Sequence, residues 1–296
     1  MLPTVLSEDL CSLKAGKLRF AFVMHATFKA QSDLNNAFEL VSVTYENAII
    51  KVKTNYAYED KKLLKSADYA LLKQISQGLD KESCDSHDVV ATFMKLMNAQ
   101  CAETLASMNT GIFRNQKGTG GPQHAVWSAE GGILSATGTG GPHRTSHFSS
   151  GEMLSAKYST INEGHAHLGL SHYTHITSPI RRLVDLINMR ILMNGSTEEL
   201  KGETIEKINK MSKSAKKAQM DCELYSKVLG ADPETVYTGS IVDVDTDEFS
   251  KVTHTVYLEE LKTYARVKGA VGTLYKIYLF DDEHNLRRKI RVECIG

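Results

Sequence analysis

The residue types able to do chemistry concentrate in His165–Arg182, which reads HAHLGLSHYTHITSPIRR. Hydroxyls from Tyr173, Thr174, Thr177 and Ser178 crowd the approach to two adjacent arginines, Arg181 and Arg182. Ser178 has the chemistry of a helix N-cap, and Pro179 suits a first helical position, where a missing N–H costs nothing. Ile180, Leu183, Val184, Ile187 and Ile191 follow at helical spacing, and Asn194-Gly195 reads as the stop. The pattern predicts an amphipathic helix whose N-terminus aims free N–H groups and a positive dipole at whatever lies in front of it. A cation such as Arg181 in that first turn opposes the dipole, so it fits best with an anion opposite it. The chemistry expected of this segment is the holding of a phosphodiester.

The four histidines at 165, 167, 172 and 175 raise zinc as a competing reading. Their spacing lacks the cysteine or carboxylate partners that usually complete such a site. His165 is instead expected to pack near the segment and His175 to orient it by hydrogen bonds.

The elements that must carry this segment are legible in blocks. Strand character runs through 18–54, in Leu18–Val23 and Ala48–Val52. Residues 61–79 read as helical, and Ser86 is expected to cap a stronger helix to about Leu105 with Val90, Phe93, Met97 and Cys101 on one face. Between 117 and 150 the unit GTGGP occurs at 118–122 and again at 138–142. A P-loop needs Lys-Ser/Thr after its last glycine, whereas Pro follows here, so a flexible surface loop is the reading. A long helix is expected from about Thr204 to Leu229, with Ile205, Ile208, Met211, Ala215, Ala218, Cys222 and Tyr225 inward and lysines at 207, 210, 213, 216 and 217 elsewhere. Asp232-Pro233 marks a boundary, after which 235–244 and 289–292 read as strands of a small β-barrel.

Composition bounds the function classes. The 296 residues hold 35 Lys+Arg and 35 Asp+Glu, for a net charge of zero. That balance argues against a generally adhesive nucleic-acid binder, but leaves room for a narrow basic channel. The five cysteines (11, 84, 101, 222 and 294) have no paired spacing and read as reduced thiols of an intracellular protein, cytoplasmic or nuclear. No apolar run approaches membrane-spanning length and the N-terminus has no signal-peptide design, so no membrane partner is expected.

Tyr173–Arg182 resembles the YTHFTSPIRR signature of the ribonuclease II (RNB) catalytic domain of 3′→5′ exoribonucleases, and Asp185 and Arg190 fall where its RRYPDLxxHR continuation has an Asp and an Arg. Met1–Leu13 is similar to that domain's MLPxxLSExLCSL segment, Asn55–Glu59 to its LTYEE stretch, Phe93–Asn98 to EEFMLLAN, and Ile112–Arg114 to a strand ending in Arg. Met153, Ala156 and Tyr158 stand at the expected place before the signature. The resemblance implies an α+β fold: residues 1–232 a partial RNB domain with a mixed, strongly twisted sheet packed by helices, and 234–296 an OB-fold-like barrel that guides RNA. It implies catalytic roles for Arg181, on the scissile phosphate, and for Tyr58, with Tyr56 the competing register. It further implies RNA contacts at Tyr173, Thr174, Thr177, Ser178, Arg182 and Arg114, although Arg182 also sits where it could pair with Asp185, and Tyr173 is equally a core aromatic by type. Single-stranded RNA is the implied substrate, Mg²⁺ the implied cofactor, and an exosome-like or other RNA-decay complex an implied assembly.

The chain also departs from that pattern. The family's metal-binding aspartates lie upstream of the MLPxxLSE segment, and no compact D-x-D cluster stands elsewhere here; Asp281-Asp282 is distant in sequence. Ala91 and Thr92 occupy the places of the EEFM glutamates, Leu183-Val184 replaces Tyr-Pro, and Met189 replaces His. Two function classes follow: a Mg²⁺-dependent exoribonuclease releasing nucleoside 5′-monophosphates whose metal ligands lie outside this chain, or a catalytically dead RNA-binding or scaffold relative. Either way the chain alone is expected to be inactive or nearly so.

Overall fold

The computed structural model describes residues 2–30, 38–81, 83–116, 156–195, 197, 200–246, 250–282 and 287–296. The GTGGP units and Met153 lie outside the described residues. The chain divides into two compact units, the first containing Ala156–Ile205 together with the described residues up to 116, the second Glu206–Gly296.

The first unit opens with a helical turn at Val5–Leu10, then an antiparallel ribbon of β1 (Leu18–Ala30) and β2 (Phe38–Lys51), registered from Leu18 opposite Lys51 to Ala30 opposite Phe38. Opposed residues share a face, so Leu18, Phe20, Phe22 and Met24 stand with Lys51, Ile49, Asn47 and Tyr45. No residue of either strand is fully buried, Phe20 is 86% exposed, and among the described residues neither outer edge pairs with a further strand.

The helix expected over 61–79 is two helices, α1 (Lys61–Leu64) and α2 (Ala67–Leu79). Ser66 breaks the run by taking an extended conformation and accepting the N–H of Tyr69. The next helix, α3 (Ser86–Ser107), is capped one residue earlier than expected: Asp85 accepts the N–H of Asp88, and Asp88 returns the bond to the N–H of Asp85. Its buried face carries Val89, Thr92, Leu96, Asn98, Ala99, Cys101, Ala102 and Leu105. Val90 is 42% exposed, and Phe93 and Met97 are half-buried, so the face is rotated from the expected one.

After α3 come β3 (Phe113–Asn115) and β4 (Lys157–Ser159), paired antiparallel with Arg114 opposite Tyr158, then α4 (Leu183–Asn194). Gly195 closes α4 as the sequence implied, with φ +66° and its N–H on Ile191 O. The α+β class holds, its first-unit sheet among the described residues being two antiparallel pairs.

Helix α5 (Gly202–Val228) follows. Ile205, Ile208, Leu224 and Val228 are buried as its inner face requires, but the stripe is not continuous: Met211 is 72% exposed and every residue from 211 to 219 is exposed. The second unit is a barrel of β5 (Val236–Thr246), β6 (Val252–Leu258), β7 (Thr263–Lys268), β8 (Leu274–Asp282) and β9 (Arg287–Cys294). Strand order is β7-β6-β5-β8-β9 with every pair antiparallel, and β7 lies beside β9, so the sheet nearly closes. Leu224 and Val228 of α5 pack with Tyr237, Val256, Leu258, Ala265, Val267, Tyr275, Ile277 and Val292 to form its core. Gly239 is required there, since a Cβ would meet Val256 Cγ1 at 2.6 Å.

Candidate functional site

The 165–182 segment begins under β3. Arg114 N–H donates to Tyr173 O (2.8 Å), and Gln116 N–H to Gly164 O (3.0 Å), so the segment is laid against the strand that ends α3's connection. Two buried asparagines then fix it. Asn98 of α3 accepts the N–H of Ile176 (3.0 Å) and donates to Tyr173 Oη (3.1 Å). Asn188 of α4 accepts the N–H of Ile112 (2.9 Å) and donates to Ile112 O (2.9 Å) and Thr174 Oγ1 (2.7 Å). A buried amide survives when its donors and acceptor all find partners; here those partners are the segment's own backbone and hydroxyls. Both residues escaped the sequence reading, although Asn98 ends the Phe93–Asn98 stretch that carried part of the resemblance.

This packing corrects two site assignments. Tyr173 is 7% exposed, edge-on to His165 and His175, and Thr174 is fully buried with its hydroxyl donating to Ile112 O. Both belong to the scaffold behind the segment and are closed to an RNA strand in this structure. The His165 ring packs within the segment, its centroid 5.2 Å from that of Tyr173, and His175 Nδ1 and the Tyr158 hydroxyl share a hydrogen bond (2.6 Å).

The turn that follows also differs from expectation. Ser178, Pro179, Ile180 and Arg181 form a turn closed by Arg181 N–H and Arg182 N–H on Ser178 O (3.2 and 3.1 Å), and α4 starts at Leu183 with Arg182 in the cap position. Ser-Pro chemistry serves turn and helix start equally. Asp185 decides between them: fully buried, it accepts the Ser178 N–H (2.7 Å) and Arg182 Nη2 (2.9 Å), folding the turn back over the helix end. Burial pushes the Asp185 carboxyl above its usual range, and Arg182 pulls against that. The N-terminal stretch docks here too, Leu2 N–H donating to Ile180 O (2.9 Å).

What the turn leaves outward is Arg181. Its side chain is exposed and reaches Ser178 Oγ at 3.5 Å. Thr177 accepts a 3.5 Å contact from Arg182 Nη2, which binds it to the arginine's position. Arg114 stacks its guanidinium over the Tyr158 ring, 5.2 Å from the centroid. Arg182, Arg114 and Arg181 all lie close enough to His175 to oppose its protonation, and together with burial, the largest cause, they hold its pKa down to about 2. The charges of three guanidiniums thus bear on one neutral ring, Arg114 from the face of Tyr158 and Arg182 from its pairing with the buried Asp185. The arrangement suits a polyanion with several oxygens in reach.

Tyr58 is set against the start of α3. It is 52% exposed and stacks on His87 in the first turn of α3, while Tyr56 is 43% exposed. The donors for Mg²⁺ are not met here: among the described residues no group of three or more His, Cys, Asp or Glu is placed to hold a metal ion. Asp185, the carboxylate at the turn, already serves Arg182 and the Ser178 N–H. The four-histidine segment likewise holds no such group.

Comparison with known proteins bears on this geometry. The family model of the RNB domain matches residues 1–71 and 139–198, a span that takes in the docked N-terminal stretch, the turn and α4. Over these residues the chain is similar to the RNB domain. Ribonuclease R of Chlamydia pneumoniae is 34% identical over 108 residues, covering 34% of this chain and 16% of that protein. Ribonuclease R of Thermotoga maritima is 31% identical over 158 residues, 49% of this chain and 22% of that protein. The chain thus spans less than a quarter of the length of these two curated relatives.

Among solved structures, Mycoplasma genitalium RNase R in complex with double-stranded RNA aligns over 99% of this chain and 63% of its own, with TM-score 0.57 and 16% identity. The Dss1 exoribonuclease active-site mutant from Candida glabrata aligns over 90% and 42%, with TM-score 0.61 and 14% identity. Yeast Ssd1, a pseudonuclease, aligns over 94% and 44%, with TM-score 0.58 and 14% identity. At these identities the likeness is one of fold, shared by a nuclease and a pseudonuclease alike. Among the described residues, no helix is long and apolar enough to cross a membrane.

Proposed function

We propose that this chain is the phosphate-holding side of a 3′→5′ exoribonuclease-type site and binds single-stranded RNA. The observation that supports it is the placing of three arginines in a protein of zero net charge: Arg181 is exposed on the turn, Arg182 is held there by Asp185, and Arg114 lies on the Tyr158 ring whose hydroxyl meets His175. Arg181 is the residue presented to a scissile phosphate, where a planar donor fork stabilises developing charge. Arg182, tied to Asp185, and Arg114, laid on Tyr158, set the field around it. The proposed reaction class is hydrolysis of RNA phosphodiesters to nucleoside 5′-monophosphates, a reading the ribonuclease R likeness supports. The barrel of 234–296 is the element proposed to guide the strand.

The described residues do not supply a metal-binding carboxylate set, so the isolated chain is expected to hold RNA without cutting it. The test is 5′-labelled single-stranded RNA incubated with the purified chain, with Mg²⁺ or with EDTA, beside Arg181→Ala. Binding that weakens in the variant, with a salt slope smaller by about 1, is the expected result. Mg²⁺-dependent shortening from the 3′ end by this chain would overturn the inactivity; absence of any RNA binding would overturn the function itself.

A further inference from the structure

We infer that Tyr58 and His87 form a stacking platform for an RNA base, with His87 the residue that positions Tyr58. The inference rests on the RNA-holding reading above and adds a site to it. The two rings lie face to face, centroids 3.4 Å apart and planes 14° from parallel. A core pair would be hidden; these are both exposed, Tyr58 by 52%. Their spacing equals the rise between stacked bases, about 3.4 Å. A base laid on the open side of Tyr58 therefore extends an existing pile.

The backbone beside the pair is unusually well fixed. Glu59 has φ +57°, a left-handed conformation that a non-glycine residue keeps when its surroundings impose it. The imposing contacts are reciprocal: Glu59 N–H donates to Ser86 Oγ (3.0 Å), and Ser86 N–H donates to Glu59 Oε1 (2.8 Å). These bonds tie the residue after Tyr58 to the residue before His87, so the two backbone stretches that carry the rings are held to one another. Pre-organised aromatic rings hold a base without the entropy cost of ordering them.

Local charge bears on which part of the RNA is held. Glu59, Asp85 and Asp88 lie close by, and each carboxylate is engaged with backbone N–H groups around the start of α3. A phosphate gains nothing there, whereas an uncharged flat ring does. Because every base has a π-face, little sequence preference is expected.

The test compares binding of oligoadenylate and of an abasic ribose-phosphate oligomer of the same length to the full chain. Wild-type protein should prefer oligoadenylate about fivefold or more. His87→Ala should abolish that preference while leaving abasic binding unchanged, and His87→Phe, which retains a ring, should restore it. Ser86→Ala, which keeps both rings but removes one of the two latch bonds, the one from Glu59 N–H, should reduce it. A preference that survives both His87→Ala and Tyr58→Ala, or no preference in the wild type, would overturn the platform while leaving the arginine site standing. Failure to bind either oligomer would overturn the RNA-holding reading, and the platform with it.

Discussion

Acid should weaken the first unit through His165 and His175. Burial, aided by Arg114 and His167, holds the His165 pKa down to about 4. Burial with Arg182 and Arg114 holds that of His175 at about 2. In the unfolded chain both return to about 6.5. Over that interval the folded state binds fewer protons than the unfolded one, so stability falls as pH drops. From pH 7 to pH 5 each histidine accounts for a loss of about 2 kcal/mol, and the two together for about 4. The lowered carboxyls of Asp9, Glu59 and Asp88 withdraw their support below about pH 4.5, outside this window. Asp185 and Glu103, raised mainly by burial, take up protons early in the folded state and work in the opposite direction. Comparison with variants removes those shared contributions. Urea unfolding at pH 7, 6 and 5 should show a pH-dependent loss smaller by about 2 kcal/mol in His165→Phe, and likewise in His175→Gln. Wild type and both variants following parallel pH profiles would refute the argument, because the buried neutral rings would then carry no linkage.

Three further outcomes follow from the same site. Asn188→Ala strands the Ile112 N–H and removes a donor to Thr174, and should cost about 3 kcal/mol in urea unfolding; a loss under half that size would mean the clamp is redundant. Asp185→Ala leaves Arg182 beside the helix end without its carboxylate and should destabilise by about 3 kcal/mol or more, whereas exchange of an exposed ion pair such as Lys17–Asp9 should change stability by less than about 1 kcal/mol. The β1–β2 ribbon, with both outer edges unpaired among the described residues, should exchange its amide hydrogens faster than β6, whose neighbours are β5 and β7; equal protection by mass spectrometry would show that the ribbon edge is covered in solution.

Where the sequence reading succeeded, a single residue type carried the structural decision. Gly195 had to end α4 because the left-handed position there favours a residue without Cβ, and that is visible in one letter. Where it slipped, two readings used the same letters. Ser178-Pro179 fits a helix start and a turn, and the choice came from Asp185, whose burial no spacing reveals. The face of α3 was misjudged because it buries Thr92 and Asn98, polar residues that a hydrophobic period treats as surface. Met211, Ala215, Ala218 and Cys222 have the spacing of a core stripe in α5 yet lie exposed or only partly buried, since what covers a stripe is a matter of tertiary structure. In the barrel, the strand Thr263–Lys268 alternates inside and outside, the period-two signal of a half-buried strand. Within the site, the Arg182–Asp185 pairing was legible from the i, i+3 spacing. Asn98, Asn188 and the Tyr158–His175 bond were not, because they join residues from 13 to 78 positions apart.

The pairing of β3 with β4 also bears on how this molecule tolerates being altered. Arg114 opposite Tyr158 and Asn115 opposite Lys157 bring the two ends of the 117–155 stretch together. Arg114 also stacks on the Tyr158 ring across that pairing, so the two strands hold one another through side chains as well as backbone. An exchange at either position therefore acts on both strands at once, and with them on His175, which meets the Tyr158 hydroxyl.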